Sequence, residues 1–373
     1  MPHEPYRALY LHIPFCVKRC NYCDFATQAI EADSPVIDEY IEQLVLQIRQ
    51  KAKEGELGHI ETIYLGGGTP SYIGLSRLSM LLYTLSLSLR LEPDVECSME
   101  ANPESVNEHL IRDIWALGVN RLSLGVQSFD DDILALLGRA HSAQDAERAI
   151  ICAQERFDNI SIDLMAGIPG QSDESFKSSV ERALDLGVSH ISIYPLTIEQ
   201  NTPFYQQLIR GKLADTDDDV QAHHMQIAER LLQEHGFERY EVASYAKPGY
   251  ACKHNCAYWT GVPYLGLGVS AATMTQNDSR RMRIQDGQVT DDLNRAQMFA
   301  EDIMLGMRMS AGVSDGLVEQ AARELPKLTE TLTSLVRRGF IEHSNSAWKP
   351  TEMGWLCGNE LYGEILDLAP GDF

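Results

Sequence analysis

From about residue 8 to residue 197 the chain alternates short runs rich in β-branched residues with amphipathic stretches of roughly ten to twenty residues. Few folds accept that rhythm. Six strands are predicted, near 8–15 (ALYLHIPF), 61–67 (ETIYLGG), 94–101 (DVECSMEA), 121–127 (RLSLGVQ), 159–167 (NISIDLMAG) and 190–197 (HISIYPLT). Helices are predicted between them at Val36–Lys53, Ser76–Arg90, Ser105–Leu117, Ala143–Glu155 and Asp173–Leu186, punctuated by Gly or Pro where a helix should stop. Strand then helix, repeated in this way, makes an α/β fold whose parallel strands curl into a partial (β/α)6 TIM-like barrel.

After residue 200 the rhythm breaks. An acidic stretch (ADTDDDV) leads into a predicted helix at 217–235, and strand-like, Gly-rich segments follow to about residue 275. From about 294 the pattern is mostly helical. A length of 373 residues suits two domains, which we expect at 1–293, the barrel with a strand and loop extension, and at 294–373, a small helical, winged-helix-like module. The chain carries 54 acidic and 31 basic residues, a formal charge of −23, which argues against nucleic acid as a partner. The N-terminal segment reads as neither a signal peptide nor a membrane span, so the expected location is the cytoplasm.

In that compartment thiols stay reduced, and three cysteines within eight residues, Cys16, Cys20 and Cys23, read as metal ligands. The segment HIPFCVKRCNYCDF places this C-x3-C-x2-C directly after the first strand. Three thiolates on one loop can bind three irons of a [4Fe–4S] cube and leave the fourth iron open. The competing reading is a zinc loop completed by His12 or Asp24, but structural zinc sites usually pair their ligands more regularly. At the end of the first strand of a βα barrel the loop lies where active sites are built. Gly66-Gly67-Gly68-Thr69-Pro70 closes the second strand, either as a tight turn or as a place where backbone approaches a ligand.

With these motifs in order, the chain resembles the radical S-adenosylmethionine (SAM) family. The resemblance implies a [4Fe–4S] cluster on Cys16, Cys20 and Cys23, with the amino and carboxylate groups of SAM on the open iron. It also implies reductive cleavage of SAM to methionine and a 5′-deoxyadenosyl radical, so that the cofactor supplies the difficult chemistry. The positions it marks for SAM are Gly67, Gly68, Thr69, Glu100, Gln127, Arg139 and Asp163, with Tyr10 and Tyr22 packing on cluster and SAM. Taken one at a time, each of these side chains could equally be a cap, a solvated group or a core aromatic.

YLHIPFC, GGGTP, EANPES, SLGVQSF, GRAHS and SIDLMAGIPGQ together resemble the branch that holds oxygen-independent coproporphyrinogen III oxidases and heme chaperones. Three features favour the chaperones. Cys23 is followed by Asp24-Phe25 rather than by another cysteine two positions on; Tyr10 lies too close to the start for the oxidases' N-terminal extension; and His254-Asn255-Cys256-Ala257-Tyr258-Trp259 matches the chaperones' heme motif. Imidazole and tyrosinate are known heme ligands, so His254 and Tyr258 are the heme candidates. The resemblance implies heme as cargo and an acceptor hemoprotein, membrane-associated ones included. It further implies an electron donor such as flavodoxin or ferredoxin, and it leaves a homodimer open. The alternative is the oxidase itself, forming protoporphyrinogen by oxidative decarboxylation; no catalytic side chain is assigned in either case. Two features depart from the branch. Cys252 and Cys256 make a second C-x3-C, open to heme ligation, redox pairing or packing, and Ala272 stands where relatives carry histidine. Cys97, Cys152 and Cys357 read as small buried hydrophobes.

Overall fold

The computed structural model describes residues 3–89 and 94–371. Six parallel strands, β1 (Ala8–Ile13), β2 (Thr62–Gly67), β3 (Glu96–Ala101), β4 (Arg121–Gln127), β5 (Ile160–Ala166) and β6 (His190–Pro195), pair in sequence order. They follow the predicted strands, trimmed by a residue or two at the ends. In β1 every residue but Tyr10 is buried, which is how a strand reads when helices cover one face and the barrel interior fills the other.

The connecting helices are α1 (Pro35–Glu54), α2 (Leu75–Ser88), α3 (Glu108–Ala116), α4 (Asp131–Leu137), α5 (Ala143–Gln154) and α6 (Asp173–Asp185). Their ends follow local chemistry. The Ser34 hydroxyl accepts from Val36 N at the start of α1, with Pro35 in the first turn, and Gly55 closes that helix in the left-handed region at φ 80°. The second predicted helix ran to Arg90, which lies outside the described residues; α2 is described to Ser88. The third starts later than expected, at Glu108, because Pro103–Ser105 first forms a 3₁₀ turn and Asn107 then caps α3.

Beyond the barrel come α7 (Pro203–Leu208), α8 (Asp218–Glu234), β7 (Glu238–Arg239), β8 (Ser244–Ala246), α9 (Lys253–Trp259), β9 (Tyr264–Leu267), β10 (Ala272–Asn277), β11 (Arg280–Gln285) and β12 (Gln288–Asn294). β9 lies parallel to β1, with Tyr10 opposite Gly266, and adds a seventh parallel strand that the strand count did not include. β10 to β12 continue the sheet as an antiparallel meander from that edge, while β8 pairs antiparallel with β6 at the other. The barrel therefore stays open.

A second core, running from Ala300 to Ala369, is separate from that of the barrel. It is built from α10 (Arg295–Gly306), β13 (Val313–Ser314), α11 (Asp315–Ala321), α12 (Leu328–Arg337), β14 (Ile341–Ser344), β15 (Ala347–Pro350), α13 (Glu352–Leu356) and α14 (Gly358–Leu366). Helix, strand, two helices and a hairpin follow in that order, with β15 in the middle of three antiparallel strands. Among the described residues no helix is long and apolar enough to cross a membrane.

Candidate functional site

The C-terminal ends of the barrel strands surround a cavity of about 130 Å³ that opens to solvent. Cys16, Cys20, Cys23 and Tyr22 line it from the loop after β1, and Gly67 and Gly68 line it from the end of β2. Glu100, Gln127 and Asp163 reach it from β3, β4 and β5, and Arg139 from the loop after α4. All three thiols are free and half-buried. Among the described residues no three His, Cys, Asp or Glu side chains converge on one point; a [4Fe–4S] cube asks for no such convergence, because each thiolate binds a different iron. The ring of His12, considered above as a fourth ligand, is engaged at both nitrogens, by Tyr10 Oη at 3.1 Å and the Ala26 carbonyl at 3.0 Å.

The glycine motif is a close-approach cradle. Gly67 has φ 111°, and a Cβ there would fall 2.5 Å from the His12 ring; at Gly68 it would fall 2.8 Å from the Phe15 carbonyl oxygen. The backbone of β2 thus presses against the start of the cluster loop, and Gly68 N donates to Ile13 O. Thr69 backs the cavity, its hydroxyl 3.5 Å from Cys16 Sγ. Burial pushes the Cys16 thiol up to about 11, against the pull of the Thr69 hydrogen bond, so iron binding at this position must displace a proton.

The carboxylates of the cavity are poised rather than neutralised. Glu100 accepts from Tyr64 Oη at 2.9 Å and Gly67 N at 3.0 Å, yet burial and the neighbouring Asp163 raise it to about 7. Burial raises Asp163 to about 6, although Arg121 and the hydroxyls of Ser192 and Ser123 favour its charge. Arg139 is held by Asn102 Oδ1 and the Gly125 carbonyl, both at 2.6 Å, which turns its other nitrogen toward Cys20 Sγ and Tyr22 Oη at 3.5 Å each. Its Nε is buried without a hydrogen-bond partner. Gln127 sits in the left-handed region at φ 70°, where β4 bulges against β5; such strain in a non-glycine residue clusters at ligand sites. These groups fit a cluster and an amino-acid ligand: soft thiolates for iron, a backbone cradle, paired acids for an ammonium and a guanidinium for a carboxylate.

Tyr10 lies one layer below, stacked on Tyr64 at 6.3 Å. Asn102, which the motif reading passed over, joins the site by bonding both Thr69 Oγ1 at 2.8 Å and Arg139. Its place directly after β3, in EANPES, was the signal.

The heme candidates lie at the opposite end. α9 crosses the N-terminal ends of β2 to β4 and closes the barrel floor. His254 is buried; Thr62 Oγ1 meets its Nδ1 at 2.9 Å and Tyr258 Oη its Nε2 at 3.0 Å. Burial and Arg121 hold its ring far below the usual histidine range, at about 3. Glu96 accepts from Lys253 N, His254 N and Cys252 Sγ, fastening the start of α9. Cys252 is fully buried and packed, whereas Cys256 is half-buried. Ala272 opens β10, its carbonyl against Gly266, which lies opposite Tyr10 of β1. Cys357 is exposed and Cys152 half-buried, not the buried pair expected: Cys357 lies at the junction of α13 and α14, and Cys152, near the end of α5, packs on the barrel core with only part of its surface.

A partial barrel with three thiols, a glycine cradle and paired acids at one mouth defines the radical SAM superfamily, whose family model matches residues 10–183. Sequence comparison narrows this. The heme chaperone HemW of Bacillus subtilis is 35% identical over 378 residues, 96% of this chain and 99% of that protein. That of Escherichia coli is 33% identical, with 96% and 97% covered. The chain therefore belongs to the HemW family of radical SAM proteins. Coproporphyrinogen III oxidase (HemN) from Escherichia coli, a radical SAM enzyme, shares the fold, with a TM-score of 0.80 over 98% of this chain and 90% of that one at 22% identity.

Proposed function

We propose that the chain is a heme chaperone that binds one [4Fe–4S] cluster through Cys16, Cys20 and Cys23, binds SAM at the same mouth, and carries heme to an acceptor hemoprotein. The observation that carries this reading is the convergence of the three thiols with Gly67, Gly68, Glu100, Gln127, Arg139 and Asp163 on one cavity. When bound, the cluster supplies an open iron and an electron. The chain's own residues position the ligand. The Gly67–Gly68 backbone admits it closely, Glu100 and Asp163 face its ammonium, Arg139 lies beside the thiolate of Cys20, and Tyr22 covers the loop. An acceptor that is membrane-associated, a flavodoxin- or ferredoxin-type electron donor and a cytoplasmic location belong to the same reading, as does a division at 1–293 and 294–373.

His254 and Tyr258 remain the heme candidates of this proposal. Ligation by His254 requires that it exchange Thr62 or Tyr258 for iron, which means loosening α9 from the floor. The test is anaerobic cluster reconstitution followed by two parallel assays. A saturable Soret band on heme titration, altered by His254→Ala, is expected, with no conversion of coproporphyrinogen. Absence of specific heme binding overturns the chaperone reading, and formation of protoporphyrinogen with consumption of SAM replaces it by the oxidase.

A further inference from the structure

Arg308 is an anomaly in a chain of net charge −23. It lies just after α10, and its guanidinium donates no hydrogen bond and joins no ion pair among the described residues. It is stacked instead between two rings, 4.5 Å from the centroid of Trp259 and 5.0 Å from that of Tyr362. Its Nε is buried and has no hydrogen-bond partner. Nearby Arg239 shows the contrast: also stacked on an aromatic ring, that of Trp355, it is anchored by Glu229 and by the Val242 carbonyl. Arg239 shares a buried, unpartnered Nε, but Arg308 alone of the two has no protein acceptor at all among the described residues, which leaves its guanidinium free to take one.

Arg308 faces a solvent-open cavity of about 340 Å³ between the β7–β8 connection, at Val242, and the second core, lined also by Trp355, Cys357, Gly358, Asn359 and Tyr362. Two further groups there lack partners. Tyr362 is 8% exposed, and its hydroxyl is buried without a hydrogen bond. A Cβ on Gly358 would lie 3.1 Å from that hydroxyl, so Tyr362 packs against the first residue of α14. The N-cap of α14, Cys357, supplies no side-chain hydrogen bond to the helix N-terminus. The one carboxylate at the rim, Glu360, is already paired with Arg338.

We propose that Arg308, the Tyr362 hydroxyl and the open N-terminus of α14 form an oxyanion pocket that receives a propionate carboxylate of the tetrapyrrole cargo. The proposal rests on the reading of the chain as a heme carrier. The cavity takes the acidic edge of the ligand, and Trp355 lines it as an aromatic wall. Trp259 belongs to α9, so Arg308, stacked on it, links the pocket to the helix that carries His254 and Tyr258. Cargo at this junction would contact the β7–β8 connection and the second core at once.

The test is titration of the full-length, cluster-replete protein with hemin and with hemin dimethyl ester, whose propionates are blocked. Arg308→Met keeps a stem of similar length between the two rings while removing the charge, and Tyr362→Phe removes only the hydroxyl. Wild type should bind hemin about tenfold more tightly than Arg308→Met does, the worth of one charge-assisted contact. Tyr362→Phe should fall between them. The dimethyl ester should bind wild type and Arg308→Met alike, at the weaker level. Equal hemin affinity in wild type and Arg308→Met, or equal affinity of wild type for hemin and its ester, overturns the pocket while leaving the heme reading intact. No saturable hemin binding by wild type overturns both. Inorganic phosphate that raises the melting temperature of wild type but not of Arg308→Met, with hemin binding unmoved by the substitution, would assign the pocket to phosphate and overturn the tetrapyrrole.

Discussion

The two ends of the barrel use the same kinds of residue to opposite purpose. At the mouth, Cys16, Cys20, Cys23, Glu100, Asp163 and Arg139 surround open space, and Arg139 Nε there has no hydrogen-bond partner. At the floor, Cys252, His254, Glu96 and Tyr258 are turned inward and bonded to one another. A cysteine- and histidine-bearing motif is therefore no guide to ligand binding until its surroundings are known. What separates the ends is that the mouth side chains line an open cavity, whereas the floor side chains close on one another.

The largest effect should come from breaking the mouth. Cys→Ser at 16, 20 or 23 should abolish iron and sulfide incorporation and the visible cluster absorbance, because an alkoxide is a poor substitute for thiolate. The same substitution at 252 should leave iron content unchanged; loss of the cluster there would erase the distinction between the two ends.

Breaking the floor should cost stability instead. Glu96→Ala strands three donors at the start of α9 and removes the carboxylate near the buried Arg121, so we expect a loss of about 3–5 kcal/mol in denaturant unfolding. Cluster loading of the folded fraction should stay at the wild-type level. A neutral result would mean that α9 is not fastened to the floor.

The smallest effect sharpens the mouth. Burial raises Glu100 to about 7 and Asp163 to about 6, above the values carboxylates have when unfolded. A carboxyl whose pKa is raised on folding stabilises the protein fully below its unfolded pKa, and that stability is lost as pH rises through the folded value. The ligand-free protein should therefore lose stability between about pH 4.5 and 7, by about 1.4 kcal/mol for each unit by which the pKa is raised. Glu100→Gln should flatten most of that slope in melting temperatures measured from pH 5 to 8. An unchanged slope would show that Glu100 is not the group responsible.

The strands and most helices were legible because burial on two faces enforces β-branched runs and because Gly and Pro punctuate helix ends, as Pro35 and Gly55 do at α1. The cluster loop was legible because its three ligands lie within eight residues. β9 escaped notice because a four-residue strand inserted beside β1 carries no period of its own, and its pairing is settled by contacts more than two hundred residues apart in sequence. Asn102 was passed over for a similar reason: its partners, Thr69 and Arg139, come from two other strand-to-helix connections.

Spacing along the chain thus sufficed for the class of fold, the three thiols and the family, since each depends on residues that are neighbours in sequence. Whether a given histidine is free or spoken for does not. His254 lies on the floor with both nitrogens occupied, and Arg308 lies between two rings with none of its donors engaged. Both outcomes depend on groups that only the folded chain brings within a few ångströms.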